Sequence, residues 1–162
     1  MEIRLAATED LADILAIYRD ARQFMEENGN PDQWGSTHPK QEVLDRDISL
    51  GQLYVVTENQ KLCGVFALIE GEDPTYGYIE GGWHYGNDYV TIHRIASLRG
   101  AHGILKSAIA FALKRNSYIR IDTHEKNAPM HHLLQKYGFQ PCGVIYIHDG
   151  SPRIAYDYMQ KK

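Results

Sequence analysis

The segment from Tyr89 to Leu113, YVTIHRIASLRGAHGILKSAIAFAL, places two glycines and two cations between a β-rich run and an apolar helical run. A turn of that composition leading straight into a helix is suited to holding a phosphate. The first N–H groups of a helix have no internal partner and carry partial positive charge, so an anion completes them. Gly100 and Gly103 allow the backbone to approach a bulky ligand, while Arg99 and Lys106 supply charge. Other chemistries find less support. His131 and His132 are adjacent on a helix and diverge by about 100°, and His93, His102 and His124 lack the ligand spacing of a zinc site. No metal is expected. Cys63 and Cys142 stand outside any reactive motif and read as small apolar fillers, and no serine occupies a nucleophile elbow.

The elements that must position this turn follow from hydrophobic periodicity. Tyr89 to Ser97 reads as a strand, Gly103 to Arg115 as a helix and Tyr118 to Thr123 as another strand, an order that predicts a right-handed parallel crossover. Upstream, Ile3 to Leu5 is a short strand. Thr8 is expected to cap a helix whose apolar face is Leu11, Ile14, Leu15, Tyr18, Ala21 and Met25, ending near Asn28 and Gly29. A short helix is expected from Gln41 to Leu50, then a hairpin of Leu53 to Thr57 with Lys61 to Ile69. Downstream, Asn127 caps a helix with Pro129 in its first turn and Gly138 past its end, and Cys142 to His148 pairs with Arg153 to Met159. Asn28 to Pro39 and Gly71 to Asp88 read as loops.

With 162 residues, 43% of them hydrophobic, the chain suits one domain spanning 1–162. A net charge of −4 with scattered basic residues gives no support for nucleic-acid binding. Two distant cysteines, no signal peptide and no apolar run long enough for a bilayer point to a reducing cytoplasm and no membrane association.

This element order, the glycine turn and the later segment NAPMHHLLQKYGF resemble the GNAT superfamily of acetyl-coenzyme A dependent N-acetyltransferases across essentially the whole chain. The resemblance implies an α/β fold of the α+β kind: a central mixed, mostly antiparallel sheet of six to seven strands flanked by helices. It implies acetyl-CoA as the cofactor, with Ile95, Ala96 and Ser97 along its pantetheine arm. Arg99, Gly100, Ala101, His102, Gly103, Ile104, Leu105 and Lys106 would surround its pyrophosphate, and Asn127 would contact it from the next helix. Two features depart from the family pattern, the turn and the place of a tyrosine. Gly100 stands where the turn usually has its basic residue, with Arg99 one position away, and Leu105 stands at the last small position. Leu134 occupies the place of the tyrosine that commonly protonates the departing thiolate, and Tyr137, three positions on, is turned by about 300° around the helix.

Acyl transfer to an amine requires alignment, removal of a proton and polarisation of the carbonyl. His93 shares a strand face with Thr91 and Ile95 and could accept the proton; an equal reading is a histidine bonded in the core or at a sheet edge. Glu80, within TYGYIEGGWHY, is the second candidate base, against the reading of an ordinary exposed loop acid. Asp122 and His124 end a strand, where α/β sheets gather functional groups, although Asp122 could instead bond Arg120 or anchor the next loop. Trp34, Tyr78 and Trp83, with Tyr76, could form aromatic faces for a cationic amine among Glu26, Glu27, Glu72, Asp73 and Glu80; aromatic residues also simply pack loops. The expected activity is acetylation of a small-molecule primary amine. Acetylation of a protein N-terminus or lysine, and a non-catalytic acyl-CoA binding module, remain alternatives, as do monomer and homodimer.

Overall fold

The computed structural model describes residues 1–161. The strands are β1 (Glu2–Leu5), β2 (Leu53–Glu58), β3 (Lys61–Glu70), β4 (Glu80–Gly81), β5 (Val90–Ser97), β6 (Tyr118–Thr123), β7 (Gln140–Tyr146) and β8 (Pro152–Met159). The helices are α1 (Leu11–Glu27), α2 (Gln41–Ser49), α3 (Ile104–Leu113) and α4 (Ala128–Lys136). One mixed sheet has the order β1-β2-β3-β5-β6-β8-β7-β4, and among the described residues only β5 and β6 pair in parallel. The sheet therefore has eight strands, where six to seven are expected. The additional strand is β4, two residues inside the stretch read as a loop. Gly81 and Gly143 let it approach β7, since a Cβ at Gly143 would lie 2.0 Å from the Glu80 carbonyl oxygen.

Alternation along the central strands builds two cores. Leu53, Val55, Val65 and Ala67 face α1 and α2, meeting Ile14, Ile17, Tyr18 and Leu44. Tyr54, Val56, Phe66 and Leu68 face the other way, toward Ile104, Leu105 and Ala108 of α3 and Leu134 of α4. Burial on both sides explains why VFAL reads as a continuous apolar run. A third cluster, with Tyr76, Tyr118, Cys142 and Ala155, covers the β6–β8–β7 half of the sheet. Gly64 on β3 sets how closely α3 docks: a Cβ there would lie 2.7 Å from Ile104 Cγ2.

Capping at the chain's start differs from expectation. Thr8 lies in a single 3-10 turn before α1, and Asp10 caps that turn by accepting the Ala7 N–H at 2.8 Å, while Arg4 forks onto its carboxylate at 2.7 and 2.9 Å. Asn127 caps α4 as expected, accepting from the Met130 N–H at 3.3 Å.

The feature that shapes the molecule is in β5. Its parallel ladder with β6 extends only over Val90↔Ile119 and Thr91↔Arg120, after which the strands part. On its other edge, Ala67 pairs with His93 and Val65 with Ala96, so Arg94 and Ile95 together face Phe66 in a β-bulge. Arg94 adopts φ +51, a left-handed conformation that costs a non-glycine residue on the order of 1 kcal/mol or more. Two helices hold it there. The Arg94 guanidinium bonds both carboxylate oxygens of Asp47 on α2 at 2.8 Å, and Tyr18 on α1 donates its hydroxyl to the Arg94 carbonyl at 2.6 Å.

Candidate active site

Two cavities open at the parting of β5 and β6. The first, about 310 Å³, lies between α3 and α4 and is lined by segments 95–97 and 101–105 together with Met130, Leu133, Lys136 and Tyr137. Gly103, at φ +79, starts α3 with no side-chain cap, and its surroundings leave open space where a Cβ would project. The first N–H groups of α3 therefore face a cavity without a protein oxygen to accept from them, the arrangement an anion completes.

The second cavity, about 790 Å³, is bounded by Met25 at the end of α1 and the segment that follows it, and includes Trp34, Asp73, His93, Asp122 and Arg153 in its wall. Ile95 and Met130 line both cavities. A row of polar side chains crosses three strands here. Thr91 pairs with Arg120, so His93 and Asp122, each two residues on, share a face; Asp122 pairs with Ala155, placing Arg153 diagonally next to it on β8.

His93 Nε2 lies 2.8 Å from Asp73 Oδ2. A carboxylate can only accept, so the proton is on Nε2, and in the neutral imidazole Nδ1 keeps its lone pair. Burial raises the Asp73 carboxyl, but bonds from His93 and from the Thr75 hydroxyl and N–H overcome this and hold it down at about 2. Asp73 is thus a fixed anion behind the imidazole. Nδ1 faces Asp122 Oδ2 at 4.0 Å, beyond hydrogen-bond reach. Asp122 does not bond Arg120; it accepts from the Tyr76 hydroxyl at 2.6 Å. Burial, and then Asp122, push the Tyr76 phenol well above its ordinary value, keeping it a donor.

The remaining expected site residues separate into those brought to the cavities and those that are not. Trp34 lines the second cavity, packed edge-on against Tyr18 with ring centroids 5.5 Å apart. Asn127 lines it too, and not the first; its amide donates to Gln33 Oε1 at 3.0 Å and Thr123 Oγ1 at 3.1 Å. Arg99 turns away from the glycine turn toward α1, its guanidinium 2.9 Å from Glu27 and its N–H bonded to Asp20, because those acids offer a nearer partner. Neither Gly100 nor Lys106 lines the first cavity. Glu80 is exposed on β4 at the sheet edge and accepts from the Tyr146 hydroxyl, away from both cavities. Tyr78 is exposed beside Tyr146. Trp83 packs on Tyr76 and donates to the Tyr76 carbonyl at 3.0 Å. The bulge also ends the alternation assumed for Thr91, His93 and Ile95, which is why Ile95 reaches both cavities.

Asp73 was expected only as one of several acids near the aromatic faces, not as a partner of His93, and Arg153 was not singled out. Asp73 had a signal: Asp-Pro-Thr is a capping sequence, and the Asp73 side chain caps the short turn Pro74–Tyr76. Arg153 had none, since its strand face depends on register. The structure also gathers His84, Cys142 and Asp157, with potential ligand atoms within 4.8 Å of one another. The three are already joined: His84 Nδ1 lies 2.7 Å from Asp157 and 3.4 Å from Cys142 Sγ. Burial, with Asp157 beside it, pushes the Cys142 thiol up, so it stays protonated.

Among the described residues, no helix is long and apolar enough to cross a membrane. No protein-family model and no curated protein matches the chain. Among solved structures, an acetyltransferase of the GNAT family from Streptococcus agalactiae is similar at a TM-score of 0.89 and 31% identity, covering 99% of this chain and 96% of the other. An acetyltransferase of the GNAT family from Listeria monocytogenes gives a TM-score of 0.69 at 24% identity over 98% of this chain and 94% of that one. A ribosomal-protein-alanine N-acetyltransferase from Brucella melitensis gives 0.66 at 19% identity, over 98% and 99%. The latter two likenesses are of fold alone.

Proposed function

The chain belongs to the GNAT family of acetyltransferases, and from that premise we propose that it moves the acetyl group of acetyl-CoA to the primary amine of a small molecule by direct attack. The observation that carries this reading is the meeting of two cavities at the parted strands, with Ile95 and Met130 common to both. The first cavity supports a cofactor role because the bare start of α3 offers N–H groups to a pyrophosphate and Gly103 leaves room for it. The second has the volume of a small-molecule site, which falls in a range of about 300–1,000 Å³.

Acetyl-CoA supplies a thioester that is already activated; the protein's part is to position and to move protons. An ammonium entering the second cavity finds Asp122, and a nitrogen bonded at about 2.8 Å to both Asp122 and His93 Nδ1 would fit the gap between them. His93 Nδ1 takes the amine's proton, and Asp73 stabilises the resulting imidazolium on its Nε2 side. Beyond Thr91 the backbone groups of β5 have no ladder partner on β6, which supports them as donors to the carbonyl oxygen. Leu134 is fully buried, whereas Tyr137 lines the first cavity, which supports Tyr137 as the proton donor to the departing thiolate.

Calorimetric titration with acetyl-CoA tests the premise, with Gly103→Trp as the control. Micromolar binding that the variant loses, followed by thiol release with small amines, is the expected outcome. Binding without turnover on any small amine, but with turnover on peptide N-termini or lysines, would move the acceptor to protein. Absence of cofactor binding by the folded parent would overturn the proposal.

A further inference from the structure

Arg153 is 6% exposed and lines the second cavity, yet its guanidinium has no carboxylate within 4.0 Å among the described residues. It donates from Nη1 to the Pro152 carbonyl at 2.8 Å and from Nη2 to the Gln33 carbonyl at 3.2 Å. A guanidinium has five N–H donors, so at least three remain. The other arginines that reach the core are neutralised or cushioned. Arg94 is forked onto Asp47, and Arg120 lies 4.0 Å from the centre of the Tyr89 ring and 4.2 Å from that of Trp83. A buried cation without an anion is costly to a fold and persists where something else supplies the charge.

The cavity that Arg153 lines holds charges of both signs. Lys40 and His38 line the same cavity. Burial lowers His38 most, and Arg94, Arg153, Arg22 and Lys40 each push it the same way, so its imidazole stays neutral. Asp73 and Asp122 stand beside His93 in the same wall. Two more acids stand in the wall: exposed Asp149, which accepts from the Ser151 N–H at 2.8 Å and acts on Arg153 through space without contacting it, and Asp32, 3.5 Å from the Lys126 ammonium. Arg153 and Asp122 are diagonal neighbours on adjacent strands, a separation of roughly 7–8 Å between such residues. A positive and a negative anchor therefore stand on neighbouring strands in one cavity wall.

We infer that the acceptor is a zwitterion, an amine that also carries a carboxylate, with the carboxylate held by Arg153 and the amine between Asp122 and His93. The inference rests on the proposed acetyl transfer and adds to it the half of the substrate that does not react. Arg153 offers the carboxylate charge-assisted bonds from a buried side chain, and its anchoring on β8 fixes the direction in which the amine reaches the parted strands. A neutral amide in the same place would leave the guanidinium buried and unpaired, which a site of this kind penalises heavily.

The test uses matched pairs: free α- and ω-amino acids against their primary amides, with acetyl-CoA and thiol release as the readout. The acids should exceed their amides in kcat/KM by at least about tenfold. In Arg153→Gln that ratio should fall toward one, and in Arg153→Lys it should be partly restored. The ratio is internal to each protein preparation, so partial misfolding of a variant cancels. Equal use of acid and amide by the parent, or an undiminished ratio in Arg153→Gln, would overturn the inference. Calorimetry with the same pairs separates it from the reading beneath it. Preferential binding of the acids without any thiol release would remove acetyl transfer and leave the zwitterion site, whereas transfer that ignores the carboxylate would do the reverse.

Discussion

The protein contains two histidine–aspartate pairs with nearly the same contact distance, and they do opposite things. His93 and Asp73 meet through Nε2 at 2.8 Å, leaving Nδ1 directed at a cavity and at a carboxylate too distant to bond. His84 and Asp157 meet through Nδ1 at 2.7 Å, and Asp157 also accepts the His84 N–H at 2.8 Å and the Tyr118 hydroxyl at 2.7 Å. Tyr118 in turn accepts from Arg120 at 3.2 Å, and Arg120 donates to the Gly86 carbonyl at 3.0 Å. Every oxygen of Asp157 is used in fastening the loop before β5 to β8. Proximity of an imidazole to a carboxylate therefore says little about function; what matters is whether any bonding capacity is left over, and where it points.

Matched substitutions sharpen that contrast. The largest effect is expected from His93→Gln, with kcat reduced about 10²–10³-fold, in the range general-base catalysis supplies, while acetyl-CoA affinity stays within about threefold. Turnover close to that of the parent would dissolve the distinction. Asp157→Ala should act on stability instead. Removing one partner of a buried charged network costs about 3 kcal/mol, or a Tm lower by roughly 6–12 °C in a chain of this size, with kcat of the folded protein preserved. A loss of turnover without a change in Tm would contradict it.

Asp73→Asn tests the orienting carboxylate, and kcat should fall about tenfold because the imidazole loses the anion that fixes its tautomer. It also has a signature in pH. The Asp73 carboxyl is held at about 2, below the ordinary value of 3.8, so the folded state gains stability from its ionisation above about pH 5 and loses it as pH falls through 2. Melting curves of parent and variant should differ most near neutrality and converge in acid; a constant gap would show that the carboxylate contributes through packing alone. The smallest effect belongs to His84→Gln, whose imidazole is partly exposed: a stability loss of about 1 kcal/mol or less and unaltered turnover. Equal damage to turnover at both histidines would break the comparison.

The sequence made most of the scaffold legible because periodicity is local. The α3 crossover, the β2–β3 and β7–β8 hairpins and the Asn127 cap each follow from residues within one or two turns of one another. β4 was illegible because two residues have no period, and its pairing depends on Gly143, distant in the chain. The site was legible by strand but not by partner. His93 could be placed beside the cofactor turn, whereas its bond to Asp73 crosses 20 residues and Arg153 meets the Gln33 carbonyl across 120. Arg99 shows the converse: its charge beside the turn was plain, but Asp20 and Glu27 on α1 claimed it.

The strained Arg94 bulge has a consequence for kinetics. Its side chain and carbonyl are clamped by Asp47 and Tyr18, so the gap between β5 and β6 is built into the folded chain before any ligand arrives. The two cavities meet at that gap, sharing Ile95 and Met130, and are otherwise walled by different residues. With acetyl-CoA and the amine entering as proposed, neither would wait for the other to shape its site. Initial-rate patterns should then be those of random addition, with each substrate's apparent affinity nearly independent of the other's concentration.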